Sequence, residues 1–208
     1  MTIKNDNKTD KKFRLKKIQD QIQNLECSPL YNFRIENEYK LVFGEGDPDA
    51  KIIFIGEAPG AQEAKTGKPF VGRAGKLLDS LLDNIDLDRN DVYITNIVKD
   101  RPPSNRTPRV GEIKTYAPFL LEQIRIIKPK IIATLGRLAM QFILRTYDHP
   151  QKDKKIGELH GEILEAQSEN GKIKIIPLYH PAAVFYNRDL EIAVKEDFQK
   201  LSKFIESD

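Results

Sequence analysis

The sequence predicts an α/β protein, a three-layer α/β/α sandwich around a central four-stranded parallel sheet. Two observations carry this. Short apolar runs at residues 51–55, 92–96, 131–135 and 173–177 have the length and β-branched content of fully buried strands. Segments with helical spacing of apolar residues separate the first three, at 74–84 and 111–128, and others follow at 137–146 and 189–205. Strands that alternate with helices of this length pair in parallel through right-handed crossovers, with helices covering the sheet.

Taken in order, residues 1–10 are polar and lysine-rich and read as a disordered basic tail, with residues 11–208 forming a single domain. From 11 to 26, Phe13, Leu15, Ile18, Ile22 and Leu25 approximate helical spacing. A polar, turn-rich stretch runs to Asp49. The run Ile52-Ile53-Phe54-Ile55 then reads as the first buried strand. The loop after it, GEAPGAQEAKTGKPFVGRAG at 56–75, is too long and too rich in Gly and Pro for a plain connector. It leads into Lys76-Leu77-Leu78-Asp79 of the first crossover helix. Segment 156–166 adds a short antiparallel strand before the last core strand.

The chain has 208 residues, the size of one domain that buries roughly 70% of its unfolded surface. No apolar run approaches the ~18 residues of a membrane span, and the polar N-terminus lacks the apolar core of a secretion signal. The expectation is a cytoplasmic protein with no membrane partner. The net charge of +3 says little by itself. Its distribution says more, because basic residues cluster at 4–17 and, as Lys99, Arg101, Arg106 and Arg109, in the loop at 99–109, where they suit phosphates. The single cysteine, Cys27, cannot build a disulfide, a zinc site or an iron–sulfur cluster within one chain.

If the four strands are parallel, the loops after Ile55, Asn96, Leu135 and Pro177 emerge on one edge, where open α/β sheets bind ligands. Taken singly, each candidate there has a plain structural role: Phe70 as a core plug, Asn96 and His180 as turn residues, Glu57 and Glu63 as solvated acids. Together they make a complementary set. An aromatic face stacks on a base. An Asn amide pairs a donor with an acceptor and matches a base edge. A His donates to an oxygen gaining charge, and a carboxylate positions water and steadies a sugar cation. Arg101, Asn105 and Arg106, held by Pro102 and Pro103, suit phosphates. The union describes a pocket for a flipped nucleotide whose base–sugar bond is cut.

The segments VFGEGDPDAKIIFIGEAPG (42–60), TGKPFVGRAGKLLD (66–79), YITNIVKDRPPSNRTP (93–108), KPKIIATLG (128–136) and YHPAAVFYN (179–187) resemble the family 4 uracil-DNA glycosylases of the uracil-DNA glycosylase superfamily, in the family's order. The resemblance implies that Glu57 and Glu63 bear on the water and the developing cation, with His180 stabilising the departing uracil anion. Phe70 then stacks on uracil, Asn96 reads its edge, and Gly56, Ala58, Pro59 and Gly60 help to line the pocket. Pro181 and Ala182 join Arg101, Asn105 and Arg106 as DNA contacts. The implied protein is a monomeric, monofunctional glycosylase that releases uracil from double- or single-stranded DNA and leaves an abasic site. A non-catalytic uracil or DNA binder, and a glycosylase for hypoxanthine or xanthine, stay open as alternatives.

Family 4 enzymes typically hold a four-cysteine iron–sulfur cluster, and here the pattern departs. Asp100 stands where a cysteine precedes RPP, Tyr116 stands at the position in the following helix, and Cys27 has no partner. No metal or cofactor is expected. Asp100 and Tyr116 are expected instead to contact segment 27–40 through Arg34 or Lys40. Ala64 also replaces an acid that often follows Glu63.

Overall fold

Alternate residues of the central strands face opposite layers, and that alternation builds the sandwich. The computed structural model describes residues 3–207. Its helices are α1 (Ile3–Gln23), α2 (Tyr31–Glu36), α3 (Ala61–Thr66), α4 (Arg73–Asp83), α5 (Val110–Ile127), α6 (Arg137–Thr146), α7 (Ile156–Leu159) and α8 (Leu190–Ser207). The strands are β1 (Glu45–Gly46), β2 (Ile52–Gly56), β3 (Tyr93–Asn96), β4 (Ile131–Leu135), β5 (Leu164–Ser168) and β6 (Gly171–Leu178). On one face, Ile53, Ile55, Ile132 and Ile175 pack with Leu15, Ile18 and Ile22 of α1, Leu120 and Ile124 of α5, and Met140 and Ile143 of α6. On the other, Phe54, Ile94, Ala133 and Ile176 pack with Leu78 and Leu82 of α4 and Val194 and Phe198 of α8.

The sheet order is β1-β3-β2-β4-β6-β5. Its inner four strands are parallel, as expected. Two antiparallel edge strands bring the total to six, which corrects the four-stranded expectation. The first of them, β1, is two residues long and has no periodicity to read. It is held by backbone pairing and by the closeness that Gly46 allows: at φ 132°, a Cβ there would stand 1.9 Å from the Val92 carbonyl oxygen. The second, β5, starts at Leu164, while residues 156–159 of the segment expected to be a strand form α7.

Within the segment expected to be a disordered tail, α1 begins at Ile3, and residues 1 and 2 lie outside the described residues. Two of its lysines have partners on the fold. Lys8 pairs with Asp47 at 2.8 Å, and Lys11 reaches Asp49 at 2.7 Å and the Ile127 carbonyl at 3.1 Å. These partners lie just before β2 and at the end of α5, the sheet edge opposite the strand ends that carry the candidate residues. No helix among the described residues is long and apolar enough to cross a membrane.

Where the resemblance implies a cluster, the structure has a buried polar network. Tyr116 donates to Asp100 Oδ2 at 2.6 Å. Because its proton is committed there, the Ser28 hydroxyl 2.6 Å away donates to Tyr116. Arg34 Nε lies 3.1 Å from Asp100 Oδ1, an ion pair whose N–H is not aimed well enough for a hydrogen bond, and Arg34 also donates to the Gln23 carbonyl at 2.7 Å. The contact therefore runs through Arg34, and Lys40 uses its backbone N–H on Ala64. Cys27 is exposed, one residue before the serine that takes part. Clusters need thiolates, and this set of hydroxyl, phenol, carboxylate and guanidinium groups does not fit one.

Candidate active site

At the carboxyl ends of the parallel strands opens a cleft of about 500 Å³, a size suited to a small ligand. Glu57, Ala58, Pro59, Gly60, Glu63, Phe70, Asn96, Asn105, Arg106, His180 and Ala182 all line it. Three other candidates do not: Gly56, Arg101 and Pro181. A second cleft of about 410 Å³ lies at the far ends of α5 and α6 beside the β5–β6 hairpin. It contains none of the candidate residues.

Gly56 acts from beneath. It pairs in register with Asn96, and a Cβ on it would sit 2.4 Å from Asn96 Oδ1 and 2.6 Å from Phe70 Cζ. Any side chain there would push apart the amide and the ring. Phe70 itself takes a left-handed conformation, φ 49°, which is costly for a non-glycine residue. Two groups hold it. Glu63 on α3 accepts from the backbone N–H groups of Val71 and Gly72 at 2.9 and 2.8 Å. Arg89 donates to the Pro69 carbonyl at 2.6 Å while paired with Asp79. Glu63 thus braces the loop that presents the ring as well as lining the cleft.

His180 opens the 3₁₀ turn at Pro181–Phe185, and its Nδ1 accepts from the Ala182 N–H at 3.1 Å. A backbone N–H can only donate, so the ring proton resides on Nε2. Burial lowers the His180 pKa to about 4 against a small opposing pull from Glu63. The imidazole is neutral near pH 7 and carries one free N–H. Its ring centroid is 5.7 Å from that of Phe70, tilted by 31°. Glu57 is half-buried, and burial raises its carboxyl pKa, opposed by a hydrogen bond with Thr107 and the charge of Arg137.

The basic loop is braced internally. Arg106 makes a bidentate pair with Glu112 at 2.9 and 2.5 Å. Arg101 donates to Asn105 Oδ1 at 2.7 Å and to the Tyr39 hydroxyl at 2.5 Å. Ser104 and Asn105 both sit at φ 54°. Pro181 is buried and fixes the turn that carries His180.

Sequence reasoning missed Ala74, Pro102 and Tyr186 among the lining residues, and Thr107 and Arg137 behind Glu57. Tyr186 had a legible signal: it is an aromatic in a turn-rich loop, and the structure leaves it 91% exposed. Among the described residues, no group of three or more His, Cys, Asp and Glu is arranged to hold a metal.

The model of the uracil DNA glycosylase superfamily matches residues 43–206. A type-4 uracil-DNA glycosylase of Saccharolobus solfataricus is 42% identical over 191 residues, covering 91% of this chain and 86% of the relative. One of Archaeoglobus fulgidus is 43% identical over 160 residues, 77% of this chain and 79% of the relative. A type-5 uracil-DNA glycosylase of Pyrobaculum aerophilum is 30% identical over 157 residues, 68% and 66% of the two chains. The matched span runs from just before β1 into α8 and takes in every loop that forms the cleft, so the chain is a member of the uracil DNA glycosylase superfamily.

Proposed function

We propose that the protein is a monofunctional uracil-DNA glycosylase of DNA repair, acting as a monomeric, single-domain enzyme in the cytoplasm on double- or single-stranded DNA. The observation that carries this reading is the convergence on one cleft of a buried aromatic ring, an amide, a neutral imidazole and a half-buried carboxylate.

The uracil is turned out of the stack and enters against Phe70, at a cost of a few kcal/mol that is least in single strands and mispairs. Asn96 pairs its amide with the N3–H and O4 edge, where cytosine presents the reverse donor–acceptor order. As the C1′–N1 bond breaks, the electron pair goes to the base, and His180 Nε2–H donates to O2 as negative charge develops there. A neutral donor suits this step, since the uracil leaves as an anion that need not take a proton. Glu57, ionised, faces the sugar cation, orients the water that adds to C1′ and takes the proton that this water sheds, leaving an abasic site. Pro181, Ala182, Asn105 and Arg106 border the DNA around the flipped nucleotide, and Arg101 steadies that loop. Exposed Tyr186 at the rim has the shape of a wedge for the gap left in the stack.

The test uses labelled oligonucleotides containing one uracil, hypoxanthine or thymine, treated with protein and then alkali. Cleavage only at uracil, abolished in Asn96→Ala, is the expected result. Cleavage at hypoxanthine instead, or binding to uracil DNA without cleavage, overturns it.

A further inference from the structure

Directly behind Asn96, on the side away from the cleft, lies a buried lysine that the mechanism above does not use. Lys99 is fully buried. Its Nζ stands 2.7 Å from the Asn96 carbonyl oxygen, 2.6 Å from Thr95 Oγ1 and 2.5 Å from Gln123 Oε1. The surrounding groups fix these directions. Gln123 Nε2 donates to the Phe43 carbonyl at 3.1 Å and to the Tyr93 hydroxyl at 3.2 Å, so its oxygen must face the lysine. The Thr95 hydroxyl donates to the Phe43 carbonyl at 2.8 Å.

An ammonium has three donors and no acceptor, and it meets three acceptors here. A neutral amine is also accommodated. The Thr95 hydroxyl can turn to donate to Nζ, because the Phe43 carbonyl keeps its bond from Gln123. In both states the bond from Lys99 to the Asn96 carbonyl survives. Burial pushes the Lys99 pKa well below the usual lysine range, and this arrangement tolerates either form. A buried lysine is an expensive way to fill space, since an apolar side chain would avoid the desolvation. What the lysine adds is a fixed anchor for the main chain of Asn96, on which the direction of the side-chain amide depends.

We propose that Lys99 is a positioning residue for base recognition: it fixes the Asn96 backbone so that the side-chain amide meets the uracil edge. The inference rests on the assignment of Asn96 as the base reader. Displacing a recognition group by about 1 Å can cost about a hundredfold in rate.

The experiment compares single-turnover uracil excision per folded molecule in Lys99→Met, Lys99→Arg, Asn96→Ala and Tyr116→Phe, with melting temperatures measured alongside. Lys99→Met is expected to lose roughly tenfold to a hundredfold in rate, to bind abasic DNA as the unaltered protein does, and to lose discrimination of uracil from cytosine. Lys99→Ala should regain part of the rate when n-propylamine is added. Tyr116→Phe, destabilised in the other buried network, should keep the full rate. If Lys99→Met does not fold, Lys99→Arg is read in its place: its wider head must push on the Asn96 carbonyl and slow excision. An unaltered rate in either folded lysine variant overturns the proposal, as does a rate loss in Tyr116→Phe that matches theirs at equal melting temperature. If Asn96→Ala keeps its rate, the assignment of the base reader fails instead. If Asn96→Ala collapses while Lys99→Met does not, only the positioning role fails.

Discussion

Lys99 and Asp100 are neighbours in the chain, both buried, one a base and one an acid, yet they point into different networks. Asp100 turns toward the N-terminal segment, where Arg34 supplies a counter-charge and Tyr116 a hydrogen bond. Lys99 turns under β3, toward the backbone of Asn96 and the amide of Gln123, with neutral oxygens as its hydrogen-bond partners. The first network ties two distant pieces of chain, residues 28–34 and the loop after β3. The second lies within a few residues of the cleft. A buried ion pair suits the task of holding segments together, where breaking one partner is severely punished. A lysine among neutral acceptors suits fine placement of one peptide, where the gain is in geometry. Two adjacent positions thus separate stability from recognition, and substitutions can show whether the separation is real.

The largest effect is expected from Asp100→Ala. It leaves the Arg34 guanidinium buried with only the Gln23 carbonyl as hydrogen-bond partner, and removing one member of a buried pair costs about 3–5 kcal/mol. Denaturant unfolding should show a loss of that size, while excision per folded molecule stays unchanged. A rate loss beyond the unfolded fraction would merge the two networks into one. Tyr116→Phe comes next, at about 1–3 kcal/mol, because the phenol links Ser28 to Asp100 and its removal strands both.

The pocket side of the comparison is read by pH. In the proposed mechanism Glu57 works as a carboxylate, and burial raises its pKa above the ordinary value of 4.5. The rate should therefore fall as pH drops through that raised value, tenfold per unit or about 1.4 kcal/mol. His180 protonates only near pH 4, where a second proton steepens the fall. Stability carries the same sign for His180: the unfolded chain binds its proton from about pH 6.5 downward and the folded one only near 4, so stability declines across that interval. Asp100→Asn should leave the acid limb of the rate where it is. A limb that moves with Asp100 would mean that the buried network of Arg34, Asp100 and Tyr116 reaches into the chemistry.

Legibility in the sequence divided along the same line. The four parallel strands and their covering helices were readable because buried runs such as Ile52–Ile55 are apolar at every position and helices such as α4 are strongly periodic. That Asn96, Phe70, His180 and Glu57 share one cleft was readable because chemistry-bearing side chains at strand ends have few purely structural explanations in combination. What escaped depends on backbone geometry. β1 is a two-residue pairing, and α1 begins eight residues early because Lys8 and Lys11 find acids that adjoin them only in space. Lys99 escaped as a recognition residue because a lysine in a basic loop reads as a phosphate contact. Only the fold turns it inward.

The smallest effect is expected at Cys27. It is the residue that most suggests a vanished metal site, yet its thiol is exposed, while Ser28 beside it faces Tyr116. A side chain outside both networks contributes little, so Cys27→Ser should shift stability by no more than about 0.5 kcal/mol and leave excision unchanged. Incubation with ferrous iron and sulfide under reducing conditions should likewise leave the melting curve of either protein where it was. A rise in melting temperature with iron that disappears in Cys27→Ser would mean that the thiol can reach a cluster held between two copies of the chain. The buried polar network would then be one of two ways of closing the same gap. An unmoved curve leaves Ser28, Tyr116, Asp100 and Arg34 as what holds the loop after β3, one residue away from the lysine that anchors Asn96.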